Sequence, residues 1–170
     1  MTDLRMTRAG IKEDKARPSI GKEEIRAVIP HAGSMCLLDA VLAWDDASIH
    51  CISDTHRAAD NPLRRDGRLS ALHAFEYGAQ AVAVHGGLRA RAAGLSPPFG
   101  YLAGLRAARL HVDYLNQIAE PLAVWAARVF GDTGNTIYVA RVTAGEAVLA
   151  EARITIMLRT GRISRHGQRQ

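Results

Sequence analysis

The chain has 170 residues, 48% of them hydrophobic and 5% aromatic, enough for one domain whose core must be built from Ala, Leu, Val and Ile. Its net charge of +5 resides in the ends: residues 1–21 carry five bases against three acids, residues 160–170 three bases and no acid, and residues 22–159 14 of each. A basic balance confined to the tails argues against nucleic-acid binding, no apolar run reaches the length of a membrane span, and Cys36 and Cys51 lack CxxC spacing, which excludes a disulfide framework and fits a reducing cytoplasm.

Residues 1–21 read as a flexible polar tail, 22–159 as the folded domain and 160–170 as a basic tail. Lys22 to Val28 has a short helical pattern that Pro30 ends, and Met35 to Leu42 is an apolar run suited to a buried strand. Ser48 to Ser53 fits as its hairpin partner across Asp45-Asp46, and a polar, Arg-rich loop fills Asp54 to Arg68. Ala71 to Gly87 is an Ala- and Gly-rich helix. Four segments rich in β-branched or apolar residues follow: Tyr101 to Val112, Leu122 to Phe130, Thr136 to Thr143 and Val148 to Leu158, the last three separated by Gly-containing turns. One long helix, a strand pair before it and a four-strand meander after it predict an α+β fold, a curved antiparallel sheet wrapped around a central helix.

The chemistry concentrates on that helix. Its small residues (Ala74, Gly78, Ala79, Ala81, Ala83) allow close approach to a sheet, and Leu72, Glu76, Ala79 and Ala83 share a stripe predicted to face the interior. An isolated buried carboxylate is costly unless paired or used, and His73 and Gln80 are the neighbours most able to hydrogen-bond Glu76. Burial is expected to raise the pKa of Glu76. His85, ahead of Gly86-Gly87, reads as a cation capping the helix C-terminus. Between Tyr77 and Val112 there are four arginines (Arg89, Arg91, Arg106, Arg109) and no carboxylate, and Arg64, Arg65 and Arg68 precede the helix. They read either as a solvated face or as a docking patch for an acidic partner. No HExxH or Cys/His cluster points to a metal.

Three segments in order resemble the hot-dog fold 3-hydroxyacyl-acyl-carrier-protein dehydratases of the FabA/FabZ type. Pro30-His31-Ala32-Gly33-Ser34-Met35-Cys36-Leu37-Leu38-Asp39 is similar to that family's PHR-[YF]-P-x-LL-x-D opening, Glu76-Tyr77-Gly78-Ala79-Gln80-Ala81 to its E-A-M-A-Q-A helix, and Tyr101-Leu102-Ala103-Gly104-Leu105 with Ala108-Arg109-Leu110 to its Y-F-A-G-I…A-R-F strand. The variant forms PHAGSMCLLD, EYGAQA and VHGG are closest to the divergent dehydratase-like branch found with bacterial aryl polyene pigment clusters. The family's loop histidine is missing: fourteen residues before Glu76 stands Pro62. Asn61-Pro62-Leu63-Arg64-Arg65-Asp66 also resembles the N-P-L-H-x-D core of MaoC-like hydratases, with Arg64 in place of the histidine.

The resemblance implies a cytoplasmic lyase that converts 3-hydroxyacyl thioesters to trans-2-enoyl thioesters. Glu76 would be catalytic, and His31 is the first candidate for the second proton-transfer group, ahead of His56. Substrate contacts fall at Asn61, Pro62, His73 and Gln80, in a tunnel between helix and sheet. Backbone N–H groups near Gly67 to Ala71 would polarise the thioester carbonyl. No cofactor is implied beyond the phosphopantetheine arm of an acyl carrier protein, which would dock on Arg64, Arg65, Arg68, Arg89, Arg91, Arg106 and Arg109. The partners implied are that carrier and a second hot-dog chain, identical or different, with no nucleic acid and no membrane insertion. The missing histidine leaves two other readings open, a half-site or non-catalytic partner of a histidine-containing homologue, and a thioesterase.

Overall fold

The structure, a computed structural model, describes residues 20–159; of the tail expected over 1–21, residues 1–19 lie outside the described residues, as does the tail 160–170, while Ile20 and Gly21 pair with Val41 and Ala40 and belong to the sheet. Strands β1 (Ile20–Gly21), β2 (Ala40–Trp44), β3 (Ser48–Ser53), β4 (Gly100–Leu110), β5 (Leu122–Gly131), β6 (Asn135–Ala144) and β7 (Ala147–Leu158) form one antiparallel sheet in the order β1-β2-β3-β5-β6-β7-β4. Helix α1 (Lys22–Arg26) is short, and α2 (Ala74–Ala92) lies across β3, β5, β6 and β7. The α+β arrangement is the one expected. Five register shifts, two of them in β4, bend the sheet around the helix.

Alternation along the strands fixes the inner face. Cys51, Val124, Val142 and Ala150 stand in one row across β3, β5, β6 and β7, all buried. The opposing face of α2 is built from Ala74, Tyr77, Gly78, Ala81, Val84, His85 and Leu88. Each large apolar side chain removed from water here contributes about 2 kcal/mol. Close approach depends on glycine: a Cβ at Gly78 would meet Ile154 Cδ1 at 3.3 Å and Ala140 Cβ at 3.4 Å.

Several expectations are corrected. The run from Met35 to Leu42 is not one strand: Gly33–Met35 form a 3-10 turn and pairing starts at Ala40. Leu37 instead gives its N–H to Gln80 Oε1 (2.9 Å) and its C=O to Ser53 Oγ (2.6 Å) and Thr55 Oγ1 (2.8 Å), so side chains replace the ladder. Helix α2 does not stop at Gly86-Gly87. After a 3-10 turn at Ala71–His73 it runs on to Ala92 and closes at Gly94 (φ +70°), where Gly94 N–H donates to Arg91 O and Leu95 N–H to Ala90 O. His85 therefore caps nothing. It is fully buried, with Nδ1 2.7 Å from Tyr138 Oη and Nε2 2.7 Å from Asp45 O. Only a donating Nε2–H suits the carbonyl, so the neutral ring accepts from Tyr138. Finally, Leu72 is 59% exposed and Glu76, Ala79 and Ala83 are half-buried, so the stripe expected inside is the open flank of the helix.

Gly86 and Gly87 separate propensity from packing. A Cβ at Gly87 would sit 2.7 Å from Val28 O, whereas at Gly86 the nearest neighbour is Pro98 Cγ at 3.8 Å. Thermal denaturation should show Gly87→Ala destabilised by about 1–3 kcal/mol and Gly86→Ala unchanged or stabilised by up to about 1 kcal/mol.

Candidate active site

Pro30 ends the segment after α1 and delivers His31 to the open flank of α2, where His31 Nε2 lies 3.4 Å from Glu76 Oε1, each side chain 30% exposed. His31 Nδ1 is buried with no hydrogen-bond partner. Gln80, one turn after Glu76 and fully buried, joins the helix to the opening loop. Its Nε2 donates to Glu76 Oε1 (3.1 Å) and to Met35 O (2.8 Å) while its Oε1 accepts from Leu37 N–H. One amide thus sets both the loop carrying His31 and the carboxylate that faces it.

The Glu76 pKa is lowered, not raised as burial alone predicts. The His31 ring beside it lowers it most, partial burial opposes, and the hydrogen bond from Gln80 and the nearby His73 add to the lowering. Two donors outweigh incomplete desolvation, so Glu76 stands as a carboxylate at neutral pH. The site is thereby equipped with a base.

The other expected residues separate. Asn61 is buried and holds its own loop: Nδ2 donates to Thr55 O (2.8 Å) and Tyr77 Oη (3.2 Å), and Oδ1 accepts from Leu63 N–H (3.0 Å). The Pro62 carbonyl accepts from Arg65 (3.1 Å). Arg64, at the position where one template has histidine, turns to the backbone carbonyls of Arg57 (2.9 Å) and Gly67 (3.0 Å). His56 is fully buried with Nε2 3.2 Å from Ile118 O; burial lowers its pKa and it faces the 115–119 segment. Of the amides near Gly67 to Ala71, three donate within the protein: Arg68 to Arg65 O, Leu69 to Asn116 Oδ1 and Ala71 to Asp113 O. Those three amides are already committed within the protein.

His73 borders a cleft of about 450 Å³ with Arg65, Arg68, Ser70 and Tyr114, walled by the Arg65–Arg68 turn in which Asp66 and Gly67 both adopt positive φ. Arg68 stacks over the Tyr114 ring, 5.4 Å from its centroid. Burial first, then Arg65, lowers the His73 pKa against the pull of Glu76. The seven arginines do not form one patch: Arg65 and Arg68 line this cleft, Arg64 serves backbone carbonyls, Arg89 lies against Tyr138, Arg91 is exposed in the last turn of α2, and Arg106 and Arg109 stand on the outer face of β4. Sequence reasoning missed Tyr114, Tyr77 and Thr55, the last two linked at 2.8 Å beneath the loop. Only their burial-prone aromatic character hinted at the tyrosines. Among the described residues, no group of three or more His, Cys, Asp or Glu side chains is arranged to hold a metal, and no helix is long and apolar enough to cross a membrane. Cys36 and Cys51 are both free and buried.

If His31 and Gln80 hold the Glu76 carboxylate in its charged form, removing either raises its pKa. A carbon-detected NMR titration of Glu76 should shift upward in His31→Gln and in Gln80→Leu. The second variant also orphans Leu37 N–H and Met35 O, at a cost of about 1–3 kcal/mol for each buried group left unpaired. An unshifted midpoint in both would contradict the assigned causes.

No curated protein matches this chain in sequence. Among solved structures it is similar to the dehydratase heterocomplex ApeI:P from Xenorhabdus doucetiae, at 24% identity and a TM-score of 0.71, with 79% of this chain and 90% of that chain covered. A thioesterase family protein from Silicibacter pomeroyi superposes at 16% identity and a TM-score of 0.52 over 71% of this chain and 84% of that chain. A hypothetical thioesterase protein from Streptococcus pneumoniae, solved with coenzyme A, does so at 11% and 0.52 over 76% and 87%. These likenesses establish the hot-dog fold. The model of the ApeP-like family, described as ApeP dehydratase, matches residues 23–164, and the chain belongs to that family.

Proposed function

We propose that this chain dehydrates a 3-hydroxyacyl thioester to the trans-2-enoyl thioester, with the substrate presented on the phosphopantetheine arm of an acyl carrier protein in aryl polyene or fatty acid synthesis. The observation that carries the reading is a lowered-pKa Glu76 fixed by Gln80 and facing His31 at 3.4 Å on the open flank of α2, in a member of a dehydratase family. The Glu76 carboxylate takes the α-proton, and the C–H pair becomes the C2=C3 double bond. The C3–O bond breaks as the hydroxyl takes a proton from an imidazolium and leaves as water. Return of the proton from Glu76 to the imidazole restores both groups, so the cycle is proton-neutral.

His31 is the imidazole in the simplest form of this scheme. A second form takes it from another chain, making a half-site in which this chain supplies Glu76. Two observations favour it: Arg64 is turned away to backbone carbonyls, and Glu76 lies on a helix flank that this chain leaves open. A tunnel over Glu76 then needs walls from the partner. A solved structure similar to this chain is named a dehydratase heterocomplex, which supports a reading with a second chain. In either form Arg65 and Arg68 offer a phosphate or acidic carrier a charged edge beside the cleft.

The purified chain is incubated with a 3-hydroxyacyl-carrier protein, alone and with a histidine-containing hot-dog dehydratase, and products are read by mass spectrometry. Enoyl formation alone, reduced at least about 100-fold by Glu76→Gln and by His31→Asn, supports the self-contained pair. Turnover only in the mixture, lost with Glu76→Gln, supports the half-site. Free acid and thiol would mean thioester hydrolysis instead, and Arg65→Glu with Arg68→Glu should raise KM for the carrier-bound substrate with little change in kcat.

A further inference from the structure

The cleft beside the start of α2 holds a side chain that the scheme above leaves idle. Of its polar lining, Arg65, Asp66, Arg68 and Ser70 are exposed, while His73 and Tyr114 are half-buried. Arg68 donates to the Tyr114 hydroxyl (3.3 Å) as well as stacking on its ring. No side-chain hydrogen bond engages the His73 imidazole among the described residues. It lines the cleft with its ring N–H unspent.

Removing the α-proton of a thioester drives negative charge onto the carbonyl oxygen, and one donor placed for that charge is worth about 100-fold or more in rate. Five backbone N–H groups leading into α2 are spent within the protein: Arg68 on Arg65 O, Leu69 on Asn116 Oδ1, Ala71 on Asp113 O, Leu72 on Ser70 Oγ and His73 on Ser70 O. The side-chain donor one turn before Glu76 is His73.

The spacing fits. A base about 3 Å from C2 and a donor about 3 Å from the carbonyl oxygen stand roughly 5–8 Å apart, because C2 and that oxygen share one carbon. Residues three apart on a helix bring their Cβ atoms to about 5–6 Å. His73 holds the N-cap position of α2, Glu76 lies in the first turn, and the two are within electrostatic range of each other. Burial first, then Arg65, lowers the His73 pKa, so the ring is neutral at neutral pH and keeps one N–H. A neutral imidazole beside a carboxylate base can hold an enolate oxygen without giving up its proton.

We propose that His73 is a catalytic residue that donates its ring N–H to the thioester carbonyl oxygen while Glu76 removes the α-proton. As the C2–H bond breaks, its electron pair forms C1=C2 and the carbonyl π pair moves onto oxygen, where the imidazole N–H meets it. The carbonyl then re-forms, the pair becomes C2=C3, and the C3–O bond breaks with the hydroxyl protonated as above. His73 neither gains nor loses a proton. The inference rests on dehydration as the proposed function and assigns the electrophile that reading lacks.

Infrared difference spectra of bound butyryl-N-acetylcysteamine, labelled with carbon-13 at the carbonyl, test the contact without turnover, since this thioester has no 3-hydroxyl to lose. The full chain is used alone and with a histidine-containing hot-dog dehydratase. The labelled carbonyl band should lie at lower frequency in the wild-type complex than in His73→Phe, and His73→Gln, which keeps an N–H donor, should recover part of the shift. With the 3-hydroxyacyl-carrier substrate, His73→Phe should lower kcat about 100-fold and His73→Gln less, each with KM within about threefold of wild type. Thermal denaturation confirms that both variants are folded. A band that His73→Phe leaves at the wild-type frequency in both settings would overturn the proposal. A His73-dependent band with no enoyl product from wild type would instead fail the dehydration reading and leave the carbonyl contact standing.

Discussion

A single primary amide governs the geometry of this site. Gln80 has no access to water; one donated and one accepted hydrogen bond join helix α2 to the loop at Met35 and Leu37, and its other donated bond holds Glu76 on the helix itself. In a low-dielectric position such bonds are strong when complete and costly when one is missing, so the loop has one acceptable height above the helix. Everything nearby inherits that height. Leu37 O is left to point at Ser53 and Thr55, Thr55 meets Tyr77, and Tyr77 meets Asn61. Asp39 closes the far end of the loop through Lys22 (2.7 Å) and Asp54 N–H (2.7 Å). The polar groups under the opening loop form a framework rather than a collection of free donors waiting for substrate.

That framework explains why Glu76 departs from the simple expectation of a buried acid. The carboxylate is neither deep nor alone: the flank of α2 that carries it is half-open, and its donors are fixed from two directions. Desolvation is thus outweighed, and the group is better suited to taking a proton than to giving one. The histidine absent from the loop before the helix is not replaced there by another titratable group. Arg64 serves the loop's own backbone, and His56 is turned under it.

Much of this was legible in the sequence, for reasons that differ along the chain. The long helix, its glycines and the β5–β7 meander follow from period and turn chemistry, and Glu76 stood out because a charged residue interrupted an apolar stretch. The failures share a cause: hydropathy reports burial, not hydrogen-bonding partners. Met35 to Leu42 is as apolar as a strand, yet Leu37 is held by side chains from distant segments. The face of α2 that lies deepest carries Tyr77, Gln80 and His85, all polar, while Leu72 is exposed, so hydropathy points to the wrong side of the helix. Tyr114 reaches the His73 cleft through its bridge to Ser70, between segments remote in sequence, and no local pattern announces that.

The imidazole buried between α2 and the sheet has a consequence for where such a protein can work. Burial lowers the His85 pKa from 6.5 to about 4, with the Asp45 carbonyl opposing. His56 and His73 are displaced in the same direction. Between those values the unfolded chain binds a proton that the folded chain refuses, so the stabilising effect of the neutral ring is complete above about pH 6.5 and is lost as the pH falls toward 4. Each such histidine lets acid favour unfolding by up to about tenfold per pH unit across its interval. Mild acidification would therefore loosen the seam between helix and sheet from within, beneath a half-buried Glu76 whose own pKa is held below its ordinary value.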